Sequence, residues 1–155
     1  MAYFTASKIE QNPFSLGHLL HLVNQYKDRV LTRHLLPLDI TAQQFKVLMM
    51  IHRDHVESCS VLSQRLSIDG GATTRMLDRL EQKQLLQRVR DSKDRRRIAL
   101  QLTESGHAFC QQMPEMIAEM LNEFTQGLDD QDIAQLELLL RKILCAGGVL
   151  EQQPE

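Results

Sequence analysis

The sequence has no uninterrupted apolar run long enough to span a membrane, so we expect no transmembrane helix and no membrane partner. Its first residues, MAYFTASKIEQNPF, have no basic segment followed by an apolar core, which predicts the absence of a signal peptide. The three cysteines, Cys59, Cys110 and Cys145, are far apart and odd in number. This disfavours a disulfide framework and predicts reduced thiols in the cytoplasm.

Motifs typical of enzymes are also missing. The chain contains no nucleophile elbow, no phosphate-binding loop and no carboxylate pair with a partner base. It has no Cys-x-x-Cys pair of the kind that supplies ligands to zinc. We therefore expect a protein that is not an enzyme and that holds neither a cofactor nor a metal.

The charge of the chain is unevenly distributed. A length of 155 residues, with 43% hydrophobic and 25% charged residues, is typical of one globular domain. Residues 1–103 carry 16 Lys and Arg against 10 Asp and Glu, whereas residues 104–155 carry 2 against 10. The net charge of −2 therefore combines a basic part with an acidic part, and the basic part predicts a polyanionic partner.

Apolar residues recur at helical spacing along most of the chain. A first helix runs from Phe14 and should end before Pro37, because proline disfavours helical backbone in the residue ahead of it. A second helix begins after Thr41, with Gln44 completing a capping box. Thr103 caps a long helix that we expect to end at Gly127. Asp129 caps the last helix.

Residues 60–83 have the outline of a helix-turn-helix. Ser60 can cap a short helix, DGG at 69–71 has turn chemistry with Asp69 as a cap, and a further helix spans 72–83. That helix has an apolar face and an opposite polar face. The apolar face contains Met76, Leu77 and Leu80 beside Thr73, and the polar face contains Thr74, Arg75, Asp78 and Arg79.

A strongly basic β-hairpin follows. The stretches 85–90 and 97–102 alternate in the manner of strands, and a polar tip, Asp91–Arg96, joins them. Residues 87–97 contain six basic and two acidic side chains, a self-repulsive charge that a duplex phosphate backbone would neutralise. A hairpin beside a helix-turn-helix is the wing of a winged-helix domain. Leu100 and Leu102 would anchor it.

With these elements in place, the chain resembles the MarR family of winged-helix regulators. The matching stretches are HLVNQYKDRVL, PLDITAQQFKVL, SIDGGATTRMLDRLE and DSKDRRRIALQLTESG, and the likeness runs from about residue 13 to 146. Its most specific part is the wing pattern, with DRR at 94–96 followed by LTESG at 102–106.

The resemblance implies a mainly α, winged helix-turn-helix fold in a single domain over residues 1–155. About 13–36 and 104–146 would form an intertwined dimerisation region, and about 41–103 the DNA-binding lobe. The chain would be a homodimeric transcriptional regulator, a repressor, on a palindromic operator of double-stranded DNA. Half-sites of such an operator lie about 10 base pairs apart.

The resemblance also implies roles for particular residues. Thr74, Arg75 and Arg79 would read the major groove, while Arg96 would enter the minor groove with Asp94 orienting it. The complete set expected at DNA is Thr74, Arg75, Arg79, Arg88, Lys93, Asp94, Arg95 and Arg96. Family members commonly release DNA on binding a small phenolic or aromatic acid, such as a salicylate-like molecule. His18, Thr74 and Arg88 would line the site of this effector.

Other interpretations of the sequence remain open. The histidine pairs His18 with His21 and His52 with His55 could sense a metal. Cys59, ahead of a short helix, could sense oxidants. A winged-helix module with low sequence specificity, or one that binds a protein, is the third alternative.

Overall fold

The computed structural model describes residues 3–11, 15–90 and 98–151. The described part is mainly helical, as predicted, and contains one two-stranded antiparallel sheet. The helices are α1 Ala6–Gln11, α2 Leu16–Leu35, α3 Ala42–Asp54, α4 Cys59–Leu66, α5 Gly70–Gln82, α6 Glu104–Phe124 and α7 Asp130–Ala146. The strands β1 Leu86–Arg90 and β2 Ile98–Leu102 lie between α5 and α6 and pair with Leu86 opposite Leu102.

Several helix ends lie where local chemistry predicts them. α2 ends ahead of Pro37, which occupies a short 3₁₀ turn, Leu36–Leu38. Both halves of the predicted capping box are present at α3, since Gln44 N donates to Thr41 Oγ1 at 3.2 Å and Thr41 N donates to Gln44 Oε1 at 3.0 Å. The predicted start of α2 at Phe14 lies outside the described residues, and α1 was not predicted.

The helix-turn-helix differs from the prediction in its details. The N-cap of α4 is Ser58 rather than Ser60, so Cys59 is the first helical residue and not the residue before the helix. Asp69 caps α5 as predicted, but the glycines after it form the first helical turn. The turn itself depends on Ser67, whose φ of 53° is left-handed. DGG was wrongly assigned as the turn because a capped helix start and a turn use the same residue types.

The hairpin is joined closely to the start of α6. Thr103 caps α6 as predicted, accepting from Gly106 N at 3.0 Å. A Cβ at Gly106 would lie 2.0 Å from Leu85 O, so only glycine allows this approach. At its other end, α6 stops at Phe124 and residues 125–127 form a turn, so the helix does not continue to Gly127 as predicted.

The chain divides into two compact units, Met1–Met120 and Leu121–Glu155. The first unit contains the hydrophobic core, in which side chains from α2, α3, α4, α5, the hairpin and α6 meet. In the second unit, α7 has no buried residue. None of the helices in the described ranges combines the length and apolar character needed to cross a membrane.

Candidate nucleic-acid interface

The two predicted faces of α5 are present. Thr73, Met76, Leu77 and Leu80 are buried, and Leu77 and Leu80 are completely inaccessible to solvent. On the other side, Thr74, Arg75 and Arg79 are exposed. Neither arginine has an ion pair with another described residue. The outer face of α5 therefore presents two guanidinium groups and a hydroxyl to solvent.

Buried hydroxyl groups fix α5 against α4. Thr73 Oγ1 lies 2.8 Å from Ser63 Oγ and donates to Asp69 O at 3.0 Å. Ser63 Oγ also lies 3.1 Å from Cys59 O and, having one proton, donates either to that carbonyl or to Thr73 Oγ1. Because the side chain of Thr73 is fully buried, this chain of hydrogen bonds satisfies polar groups that would otherwise be costly to bury. It sets the position of the outer face of α5 relative to α4.

The N-terminus of α5 is held by a charged cap. Asp69 Oδ1 accepts from Ala72 N at 2.8 Å. This hydrogen bond is the main cause of the lowered pKa of Asp69, with a further contribution from the charge of Arg75. The ionised carboxylate therefore stabilises the helix start in the folded chain.

Arg88, on β1, is joined to α5 by two acidic side chains. Its Nη1 lies 2.8 Å from Asp78 Oδ1 and also forms an ion pair with Glu81 Oε2. Its Nη2 donates to Thr74 O at 3.4 Å. Burial by itself would lower the pKa of Arg88, but the hydrogen bonds and charges of Asp78 and Glu81 outweigh it, and the pKa is raised. The sequence analysis did not predict these partners of Arg88, although Glu81 lies near the end of the helix that leads into β1.

The base of the wing is anchored as predicted. Leu86, Leu100 and Leu102 are buried, and Leu100 N donates to Glu57 O at 2.9 Å. The tip residues, which carry half of the predicted DNA contacts, lie outside the described part of the chain. They are Lys93, Asp94, Arg95 and Arg96, together with Asp91, Ser92 and Arg97.

A cleft of about 650 Å³ opens beside α5 and was not predicted. Arg75, Met76 and Arg79 line one side of it, and the N-terminal residues of α3 line another. The first backbone amides of a helix attract anions, and so do arginines without carboxylate partners. Lys83 also borders the cleft, and it is paired with Asp39 Oδ2 at 2.8 Å.

The structure brings together two of the three residues predicted for the effector. Thr74 and Arg88 are in contact, through the carbonyl of Thr74 rather than its hydroxyl, which donates to Gly70 O at 2.8 Å. His18 lies in the first turn of α2 and is exposed, and the contacts that join Thr74 to Arg88 do not include it. Arg88 already has two carboxylate partners.

The histidines and cysteines are distributed as follows. His52 on α3 faces His107 on α6, with ring centroids 6.0 Å apart. Within the described ranges, no group of three His, Cys, Asp or Glu side chains is placed to hold a metal ion. Cys59 is half-buried. Burial raises the pKa of the Cys110 thiol, against the opposing charge of Arg53.

A helix-turn-helix with an exposed basic face on its second helix, followed by an anchored hairpin, defines the winged-helix class of regulators. The MarR family model matches residues 40–98. The chain is 45% identical over 130 residues to the multiple antibiotic resistance protein MarR of Escherichia coli, over 83% of this chain and 90% of that protein.

Solved structures agree. The crystal structure of wild-type E. coli MarR in its apo form matches with a TM-score of 0.78 at 44% identity, over 84% of this chain and 96% of that one. A cysteine-to-serine variant of E. coli MarR complexed with operator DNA matches with a TM-score of 0.71 at 42% identity, over 88% and 96%. The chain belongs to the MarR family, which confirms the predicted winged helix-turn-helix fold. It is a transcriptional regulator and not an enzyme.

Proposed function

We propose that this regulator binds a palindromic operator as a homodimer and represses transcription until a small phenolic or aromatic acid releases it. The observation that carries the proposal is the outer face of α5, where Thr74, Arg75 and Arg79 are exposed. The buried opposite face leaves that surface available to a DNA groove. The similarity to an E. coli MarR crystallised with operator DNA supports the same partner for this chain.

Each residue predicted to contact DNA has its own role in binding. Arg75 and Arg79 read guanines in the major groove and Thr74 contacts a thymine methyl or a phosphate. Arg96, oriented by Asp94, enters the minor groove, while Lys93 and Arg95 neutralise phosphates. Arg88 contributes by joining β1 to α5 through its side chain. In this proposal the protein acts in the cytoplasm, on chromosomal DNA.

Exposed apolar side chains support the homodimer. Leu136, Leu140, Ile143 and Leu144 recur at helical spacing along α7, and each is at least 38% exposed. Helices with such a stripe bury it against another surface. α2 is similar, with Leu16, Leu19, Leu20 and Val23 exposed. We therefore propose that about 13–36 and 104–146 interlock with their counterparts in a second copy, leaving about 41–103 as the DNA-binding lobe.

The effector, in this proposal, occupies the cleft beside α5. An acid at Arg88, the predicted site with Thr74 and His18, would have to displace Glu81 and Asp78. Arg75 and Arg79 border the cleft, and neither forms an ion pair with a described residue. The apolar side chain of Met76 between them could contact an aromatic ring. An effector there occupies two arginines that DNA needs, so each ligand weakens the other by differential affinity.

The test measures binding to a duplex from the upstream region of the protein's own gene and to a scrambled duplex, across a salt series, with and without salicylate. Preferential binding of the upstream duplex, relieved by salicylate, is expected. Equal binding of both duplexes would contradict an operator-binding repressor.

A second measurement locates the effector. Calorimetry without DNA should show that Arg75→Gln and Arg79→Gln each weaken salicylate binding about tenfold, because each loses a charge-assisted hydrogen bond. Arg88→Gln should change the dissociation constant for salicylate by less than about twofold. If only Arg88→Gln weakened salicylate binding, the effector site would be the one predicted from the sequence, at His18, Thr74 and Arg88.

A further inference from the structure

Glu81 forms two bonds with one residue of the wing. Its Oε1 accepts from the backbone N of Arg88 at 3.0 Å, and its Oε2 forms the ion pair with the Arg88 guanidinium. A surface ion pair alone would be weak, but a carboxylate that holds both the backbone and the side chain of a partner restricts its position more strongly.

The strand register shows why the backbone bond matters. Arg88 lies opposite Leu100, and the amide of Leu100 points away from β1 to Glu57 O. Arg88 and Leu100 therefore form a non-hydrogen-bonded pair, and the Arg88 amide faces away from β2. Glu81 supplies the acceptor that the sheet does not.

Arg88 also extends along α5. Its contacts are Thr74 O, Asp78 and Glu81, which lie on successive turns of one helix face. Arg88 lies close to Arg90, the last described residue of β1. These contacts therefore join α5 to the described end of this strand.

We infer that Glu81 is a positioning residue: by holding Arg88, it sets the direction of the wing relative to α5, so that both elements reach their grooves only on a correctly spaced sequence. The inference rests on the proposed function. Asp78 also forms an ion pair with Arg88, but it makes no described hydrogen bond to the backbone of β1. Glu81 therefore has the larger effect on how well the protein discriminates between sequences.

Two effects of Glu81 on DNA binding can be separated. Any lost carboxylate near DNA raises the affinity for every duplex, because a repulsive charge is gone. A lost positioning contact lowers affinity for the selected sequence only. The control is Glu57→Gln, which removes an exposed carboxylate from the same lobe. Only the backbone oxygen of Glu57 contacts the hairpin among the described hydrogen bonds.

The experiment uses the full chain and a duplex selected by it from a random library, with a scrambled duplex of equal composition. Fluorescence anisotropy gives the ratio of the two affinities. Glu57→Gln should leave this ratio within about twofold of the wild-type value. Glu81→Ala should lower it about tenfold, and Glu81→Gln, which keeps an oxygen that can accept from the Arg88 amide but loses the ion pair, should lower it less, with binding of the scrambled duplex unchanged or tighter in both. Sedimentation and circular dichroism identify any variant that does not fold, and the near-isosteric Glu81→Gln protects the test against that outcome.

A second readout does not depend on DNA. In Glu81→Ala the amide proton resonance of Arg88 should lie upfield of its position in Glu57→Gln. The Arg88 amide proton should also exchange faster with solvent in Glu81→Ala. An unchanged affinity ratio in both Glu81 variants, or an unchanged Arg88 amide, overturns the inference while leaving the proposed function intact. If the wild-type chain binds both duplexes equally, the proposed function itself is contradicted, and the inference that rests on it is contradicted too.

Discussion

At the scale of single residues, Gly106 determines how closely α6 approaches the hairpin. The pattern LTESG reads as a helix start, but the reason for its glycine lies in Leu85, whose carbonyl oxygen occupies the space of a Cβ. Thr103 caps the same helix turn and also donates to Gln84 O. One short segment thus joins the wing to the next helix.

Gly106→Ala should destabilise the fold by about 3 kcal/mol, because backbone atoms rather than a flexible side chain must move. Urea denaturation measures the loss. The matched control is Gly127→Ala, where a Cβ meets no atom within 4 Å and the change should be within about 0.5 kcal/mol. Equal midpoints for the two variants would mean that Leu85 does not restrict this position.

Thr73→Val tests the buried hydroxyl bond between α4 and α5. The change keeps the shape but removes a donor and acceptor, so we expect a loss of about 1–2 kcal/mol. Thr32→Val, which removes an exposed hydroxyl bonded only to Asp28 O among the described contacts, is the control and should cost less than about 0.5 kcal/mol. If both variants unfold at the same denaturant concentration, the Ser63 contact contributes nothing measurable.

At the scale of elements, the helix ends follow from local chemistry. Thr41, Asp69 and Asp129 each accept a backbone hydrogen bond at the start of a helix, as their residue types predict. The start of α4 is the exception, since the side chain of its N-cap, Ser58, makes no capping hydrogen bond to the helix backbone. Ser58 and Ser60 are equally good caps by type, and the tertiary position of the chain selects between them.

The cap of α5 should make stability depend on pH. Because the pKa of Asp69 is lowered by folding, its contribution is complete above about pH 4 and is lost as the pH falls through the folded value. Asp69→Asn keeps a capping oxygen without the charge. Denaturation between pH 7 and pH 3 should therefore show wild type losing its advantage over Asp69→Asn in acid. A constant difference across this range would contradict the assignment.

At the scale of the whole molecule, α7 stands out because none of its residues is buried. Its apolar side chains are exposed along its length, although it is well capped by Asp129 and Asp132. Capping explains why the helix forms but not what covers its leucines. A second copy of the chain is the cover that we propose.

The double variant Leu139→Glu with Ile143→Glu should raise the dimer dissociation constant roughly 100-fold or more, because two charges would enter an apolar interface. Sedimentation equilibrium measures it. Gln135→Glu adds a charge at a polar position of the same helix and should leave the dimer intact. A double variant that stays dimeric at low concentration would show that α7 does not form the interface.

Much of the DNA-facing site was predictable because it depends on helical spacing. Thr74, Arg75 and Arg79 were placed on the exposed face of α5 from periodicity alone, and the structure confirms that exposure. The partners of Arg88 were missed because they follow from the packing of a strand on a helix. The cleft beside α5 was missed for the same reason, since its walls come from segments far apart in sequence.

The sequence by itself determined the order of the elements from α2 to α7, the caps of α3, α5, α6 and α7, and the two faces of α5, because these depend on residue types a few positions apart. Only the tertiary structure decided which charges meet. It paired Arg88 with Asp78 and Glu81, left Arg75 and Arg79 without an ion pair to a described residue, and made Gly106 indispensable. Such pairings depend on the packing of distant segments, because an ion pair or a steric contact acts over a few ångströms of space and not along the chain.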